Sequence, residues 1–98
     1  MTGNLFSLDG KTAVVIGGTT GIGRVLCLGL ADAGADVIPS SRRQEQVDAT
    51  ATEIERRGRQ TLRLCSDVRH RAPLEQLLAA SLQRFGKVDI LINCAGTT

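Results

Sequence analysis

Four of the seven residues in 17–23 (GGTTGIG) are glycine, and they lie between two very different patterns. Before them stands Thr12–Ile16 (TAVVI), a short β-branched run of the kind that forms a strand buried on both faces. After them Ile22, Val25, Leu26, Leu30 and Ala33 recur at the spacing of one helix face, with Gly34 as a stop. A chain that passes directly from strand to helix needs backbone dihedrals that glycine adopts freely. This junction restricts the fold to architectures in which a buried strand feeds a covering helix.

The alternation continues to the end of the chain. Asp36–Ser40 (DVIPS) is a second strand, with Pro39 marking its end because proline cannot donate to a ladder. Val47, Ala51 and Ile54 mark a helix closed by Gly58, and residues 60–65 a third strand. Leu74, Leu77, Leu78, Leu82 and Phe85 share one face of a third helix, with Pro73 in its first turn and Gly86 at its end. Residues 88–93 form the fourth strand. The predicted class is α/β, a Rossmann-like parallel sheet of strand order 3-2-1-4. Right-handed crossovers place the first two helices on one face and the third alone on the other. At 98 residues the chain is one domain.

Composition removes several functions. Twelve Lys and Arg against ten Asp and Glu leave +2, and two Phe with no Tyr or Trp give little to stack on bases, so no nucleic-acid partner is expected. No apolar stretch is long enough to cross a membrane, and the start lacks a signal-peptide pattern; we expect a cytoplasmic protein with no membrane partner. Cys27, Cys65 and Cys94 are too scattered for a metal site or a redox pair and read as reduced, buried small hydrophobes. His70, among arginines, reads as a solvated loop residue. Arg56, Arg57 and Arg59 flank the end of the second helix, where cations complement the helix dipole.

The glycine run carries the chemistry. A helix N-terminus offers unpaired N–H groups and the positive end of its dipole, so a pyrophosphate can sit there without a dedicated cation. Gly18-x-x-x-x-Gly23 is followed by Arg24-Val25, not the Lys and hydroxyl residue of a P-loop, and the Gly-x-Gly-x-x-Gly spacing is also absent. What stands here, Gly-x-x-x-Gly-Ile-Gly, resembles the short-chain dehydrogenase/reductase family. Asp67-Val68 is similar to that family's adenine-contacting pair, and Asn93-Cys94-Ala95-Gly96 to its Asn-Asn-Ala-Gly motif. Two positions depart from the pattern: Ile16 stands where the family usually has Thr, and Cys94 replaces the second Asn.

The resemblance implies a dinucleotide held by Gly17, Thr19, Thr20, Gly21, Ile22, Gly23, Ser41, Arg42, Asp67, Val68, Asn93, Ala95 and Gly96. It also implies hydride transfer between nicotinamide and a carbonyl or secondary alcohol, as in the similar 3-oxoacyl carrier-protein reductases and gluconate or sugar-alcohol dehydrogenases. The family's Tyr-x-x-x-Lys is missing, since the chain has no Tyr. Residues 1–98 are therefore expected to be the N-terminal, cofactor-binding part of a Rossmann domain, truncated after the fourth strand. Such a part has no catalytic residues of its own and no metal, and belongs to a small-molecule enzyme that is a homo-oligomer when complete. The alternative is a free-standing, non-catalytic nucleotide-binding or sensing module. Ser41 and Arg42, where NAD binders place an acid, point to NADP rather than NAD.

Overall fold

The computed structural model describes residues 7–67 and 70–94. The elements are β1 (Thr12–Ile16), α1 (Gly21–Asp32), β2 (Asp36–Ser40), α2 (Gln44–Arg56), α3 (Arg71–Phe85) and β3 (Ile90–Asn93). All five residues of β1 are buried, as its β-branched composition requires of a central strand. It pairs in parallel with β2 from Thr12↔Asp36 to Ile16↔Ser40, and with β3 from Ala13↔Ile90 to Ile16↔Asn93. The sheet is thus β2-β1-β3.

Alternate residues of β1 feed two cores. Ala13 and Val15 pack with Cys27 and Ala31 of α1, Val37 of β2 and Ile54 of α2. Val14 and Ile16 pack with Ile38 and with Leu77 of α3, flanked by half-buried Leu74, Phe85 and Val88. Two helices cover one face and one covers the other, as the crossover argument predicts. The helix stops are also those expected from the sequence: Gly34, Gly58 and Gly86 have φ of 108°, 79° and 79°, where a side chain would strain the backbone. The arginines after α2 act as fasteners. Arg57 Nε donates to Asp32 Oδ1 at 2.9 Å, tying α2 to α1, and Arg59 donates to the Gly34 carbonyl at 2.9 Å.

Three expectations are corrected. The order 3-2-1-4 is not confirmed: among the described residues the sheet has three strands, and residues 60–65 are not one of them. They run beside the outer edge of β2 and touch it only at intervals: Val37 N donates to Gln60 O at 3.2 Å, and Ser66 N to Ser41 O at 2.7 Å. Pro39 supplies the reason. Donors alternate sides along a strand; Asp36 N turns to Lys11 of the β1 side and Val37 N to Gln60, so position 39 should donate outward, and proline has no N–H. Pro39 therefore sits inside β2, paired with Val15, instead of ending it.

The second correction concerns α1. Its buried residues are Gly23, Cys27 and Ala31, whereas Ile22 and Val25 are 76% and 70% exposed and Leu26 is 36% exposed. The helix is apolar nearly all round, so large side chains do not mark its inner face. Small residues do, because they let α1 approach the sheet. Third, Cys65 is exposed and Cys94 half-buried; only Cys27 is a core residue. Cys65 lies on the unpaired 60–65 segment, which presents it to solvent.

Candidate functional site

The carboxyl ends of the three strands are bound together by their own backbone. Gly17 N and Gly18 N both donate to Ser40 O, at 2.7 and 3.2 Å, which fastens the glycine loop to the end of β2. Cys94 N donates to Ile16 O at 2.7 Å, locking the end of β3 to β1, and Ser66 N does the same to Ser41 O. The glycine loop, the Ser41 turn, Asp67 and Asn93 are thereby gathered at one end of the sheet. In an open parallel sheet this is where ligands bind.

Each glycine of the loop has a separate task. Gly17 and Gly21 have φ of 79° and 53°, the left-handed region that turns the chain from β1 into α1. A Cβ at Gly23 would overlap the Gly17 carbonyl oxygen, so its absence allows α1 to start directly beneath the loop. Gly18 is not among the expected cofactor contacts, yet a Cβ there would stand 2.6 Å from Cys27 Sγ. Nothing lies within 4 Å of a Cβ built at Gly21, so the mouth of the helix is open.

Thr20 is the N-cap residue of α1, with extended dihedrals (φ −142°, ψ 160°), and no side chain caps the helix. The first turn carries no acid either. Its leading N–H groups and the positive end of its dipole therefore face the open mouth, the arrangement that accepts a diphosphate. The cradle fits the central part of a dinucleotide. Ile22 is exposed at the same mouth.

Thr19 is 6% exposed, and its Oγ1 donates to Gln46 Oε1 of α2 at 3.1 Å. Its one proton is thus committed, and toward a ligand the hydroxyl can only accept. Gln46 was missed because a polar residue on a polar helix face carries no periodic signal; only the packing of α2 against the loop reveals it. Ser41 Oγ accepts from Arg43 N at 3.4 Å, which shapes the turn into α2. Arg42, at the tip of that turn, is exposed and makes no ion pair among the described residues. Asp67 is half-buried; its carbonyl accepts from His70 N at 3.1 Å, and its Oδ2 lies 4.0 Å from Nε2 of exposed His70. Asn93 closes β3 opposite Ile16. Val68, Ala95 and Gly96 lie outside the described residues.

Two titrating groups have distinct environments. Burial, with the nearby Cys94 adding and Arg24 opposing, pushes the Cys27 thiol up to about 12, so it remains a neutral packing group under the loop. Asp89, just before β3, is held below the usual carboxylate range first by the Thr12 N–H it accepts at 2.9 Å and then by Lys87, against some desolvation. Neither belongs to the candidate site. No group of three or more His, Cys, Asp or Glu among the described residues is arranged to hold a metal, and no described helix is long and apolar enough to cross a membrane.

Known proteins are similar to this chain in sequence and in fold. An uncharacterized oxidoreductase of Mycobacterium tuberculosis is 39% identical over 95 residues, 97% of this chain and 36% of that protein. The 2-dehydro-3-deoxy-D-gluconate 5-dehydrogenase of Escherichia coli is 41% identical over 93% of this chain and 35% of its own length. Among solved structures, a complex of Pseudomonas aeruginosa RhlG with NADP superposes with a TM-score of 0.84 at 37% identity, covering 95% of this chain and 37% of that one. The chain spans little more than a third of the length of these relatives. The short chain dehydrogenase family pattern matches residues 11–98. With the glycine loop docked on β2 and α1 opening beneath it, this match makes the chain a member of the short chain dehydrogenase family.

Proposed function

We propose that residues 1–98 form the NADP(H)-binding part of an oxidoreductase acting on a carbonyl or secondary alcohol. The observation that carries this reading is the uncapped start of α1 under the open glycine loop, with the Ser41-Arg42 turn held beside it through Ser40. In this reading Thr20, Gly21, Ile22 and Gly23 receive the diphosphate and Thr19 accepts from a ribose hydroxyl. Asp67 and Val68 hold the adenine, and Asn93, Ala95 and Gly96 border the nicotinamide ribose. When bound, the nicotinamide supplies the hydride donor or acceptor. The chain's own residues bind and orient; with no Tyr, none takes the family's proton-transfer role. The relatives named as dehydrogenases and the NADP complex of RhlG support the reading, and the small-molecule substrate would be recognised outside these residues.

Ser41 and Arg42 carry the cofactor preference. Ser41 can donate to phosphate oxygens, Arg42 supplies a charge not neutralised within the described chain, and no acid stands at this position to repel a 2′-phosphate. Charge-assisted hydrogen bonds of this kind contribute roughly 1.5 to 3 kcal/mol each, or about tenfold or more in affinity. Titration calorimetry with NADP and NAD tests this. The unmodified protein is expected to prefer NADP, and Ser41→Asp with Arg42→Ala to shift the ratio at least about tenfold toward NAD. Equal binding of the two by the unmodified protein contradicts the electrostatic argument. Binding of NADP without any NADPH-dependent carbonyl reduction by the purified chain is the expected companion result; turnover would refute the assignment of proton transfer to residues elsewhere.

A further inference from the structure

We propose that Gln46 is a cofactor-specificity residue, its side-chain amide nitrogen donating to the 2′-phosphate of the adenosine ribose. The inference rests on the NADP reading above and adds to it a group that neither the glycine pattern nor the Ser41-Arg42 pair includes.

Three observations lead to it. Gln46 Oε1 accepts the proton of Thr19 Oγ1 at 3.1 Å, and Thr19 is buried within the glycine loop, so the amide is pinned at the loop and not free in solvent. Gln46 N donates to Arg43 O at 3.1 Å, which places the same residue in the turn that begins at Ser41 and presents Arg42. Gln46 therefore bridges the diphosphate loop and the turn that faces the ribose. Finally, an amide whose oxygen is already occupied has two N–H donors left, and among the described residues the Gln46 nitrogen has no hydrogen-bond partner. Gln46 is half-buried, and two amide donors on a residue tied to both the arginine turn and the glycine loop suit an anionic acceptor. Thr19 fixes the amide's orientation: it can only present an acceptor to the ribose, while Gln46 presents donors. Together they recognise a ribose that carries both a hydroxyl and a phosphate. Glu45, exposed in the same turn, supplies no donor.

The test uses two nucleotides that differ only in the 2′-phosphate, 5′-AMP and 2′,5′-ADP, titrated calorimetrically into the unmodified chain and into Gln46→Glu and Gln46→Met, with far-UV circular dichroism confirming the fold of each. Glutamate still accepts from Thr19 but replaces the two donors with a charged oxygen; methionine removes both functions at similar volume. Gln46→Glu is expected to weaken 2′,5′-ADP at least about tenfold while 5′-AMP stays within about twofold, and Gln46→Met to weaken 2′,5′-ADP more than 5′-AMP. If Gln46→Glu leaves both nucleotides unaffected while Gln46→Met weakens both, Gln46 only steadies Thr19 and the proposal is overturned. Equal loss of both nucleotides in Gln46→Glu overturns it as well. Failure of the NADP reading itself is recognised separately, because there the unmodified chain gains nothing from the 2′-phosphate, and that result removes the proposal with it.

Discussion

Replacing Gly23 with alanine tests whether the glycine loop depends on the close approach of α1. The added Cβ would overlap the Gly17 carbonyl oxygen and meet the Gly17 carbonyl carbon at 2.9 Å, both backbone atoms. Neither can swing aside: Gly17 is held by its N–H to Ser40 O at 2.7 Å and by a φ of 79°. The helix must therefore lift off the loop, disturbing the contacts of Cys27 and Ala31 with β1. Overpacking of this kind costs about 1–3 kcal/mol, which for a domain of this size lowers Tm by roughly 4–24 °C. Gly29→Ala is the control within the same helix. It is exposed, has nothing within 4 Å of its Cβ, and should gain about 0.5–1 kcal/mol from helix propensity and a less free unfolded chain. Urea unfolding followed by far-UV circular dichroism reads both, since the chain has neither Trp nor Tyr for fluorescence. A Gly23→Ala protein as stable as the unmodified one, or a Gly29→Ala protein destabilised to the same degree, would refute the steric argument.

Further outcomes follow from the same contacts. Because the Asp89 carboxyl is depressed in the folded chain, its contribution is fully present above the unfolded value of about 4 and is lost as pH falls below it. Asp89→Asn should accordingly lower the urea midpoint at pH 7 and lose most of that difference at pH 3; a difference that persists unchanged at pH 3 would remove the charge from the explanation. Native labelling with a maleimide at pH 7 should modify exposed Cys65 quickly and spare Cys27 until urea unfolds the chain, as a buried neutral thiol requires; early labelling of Cys27, read by peptide mass mapping, would contradict its burial. Restoring an N–H at position 39 by Pro39→Val should raise amide-exchange protection across residues 60–65 if the missing donor is what breaks that edge; unchanged protection would point elsewhere.

Most of the architecture is readable from local pattern because the pattern and the packing agree. TAVVI is β-branched and wholly buried, and Val47, Ala51 and Ile54 are the inner face of α2. Gly34, Gly58 and Gly86 stop their helices at positive φ. Where pattern and packing part, a single physical cause is visible. A run of β-forming residues at 60–65 reads as a strand, but whether it pairs depends on the neighbouring edge, and Pro39 interrupts that edge. The periodicity of α1 points to Ile22 and Val25, yet close helix–sheet approach selects Gly23, Cys27 and Ala31. The glycine loop, Ser41 and Asn93 are legible as a candidate site because each ends a strand and the topology must bring strand ends together; Asp67 joins them because the segment before it runs beside β2. Gln46 is not, since its position against Thr19 depends on how α2 leans on the loop.

The central claim, a dinucleotide site at the carboxyl end of the sheet, is tested most directly by mapping backbone amide shifts in ¹⁵N-labelled protein as NADP is added. The account predicts the largest changes at the amides of Thr20, Gly21, Ile22 and Gly23, with accompanying shifts at Ser41, Arg42, Gln46 and Asp67, and little change at Gly34, Gly58 and Gly86 around the opposite end. Saturating NADP that leaves residues 17–23 unmoved, or that shifts the opposite end instead, would contradict it.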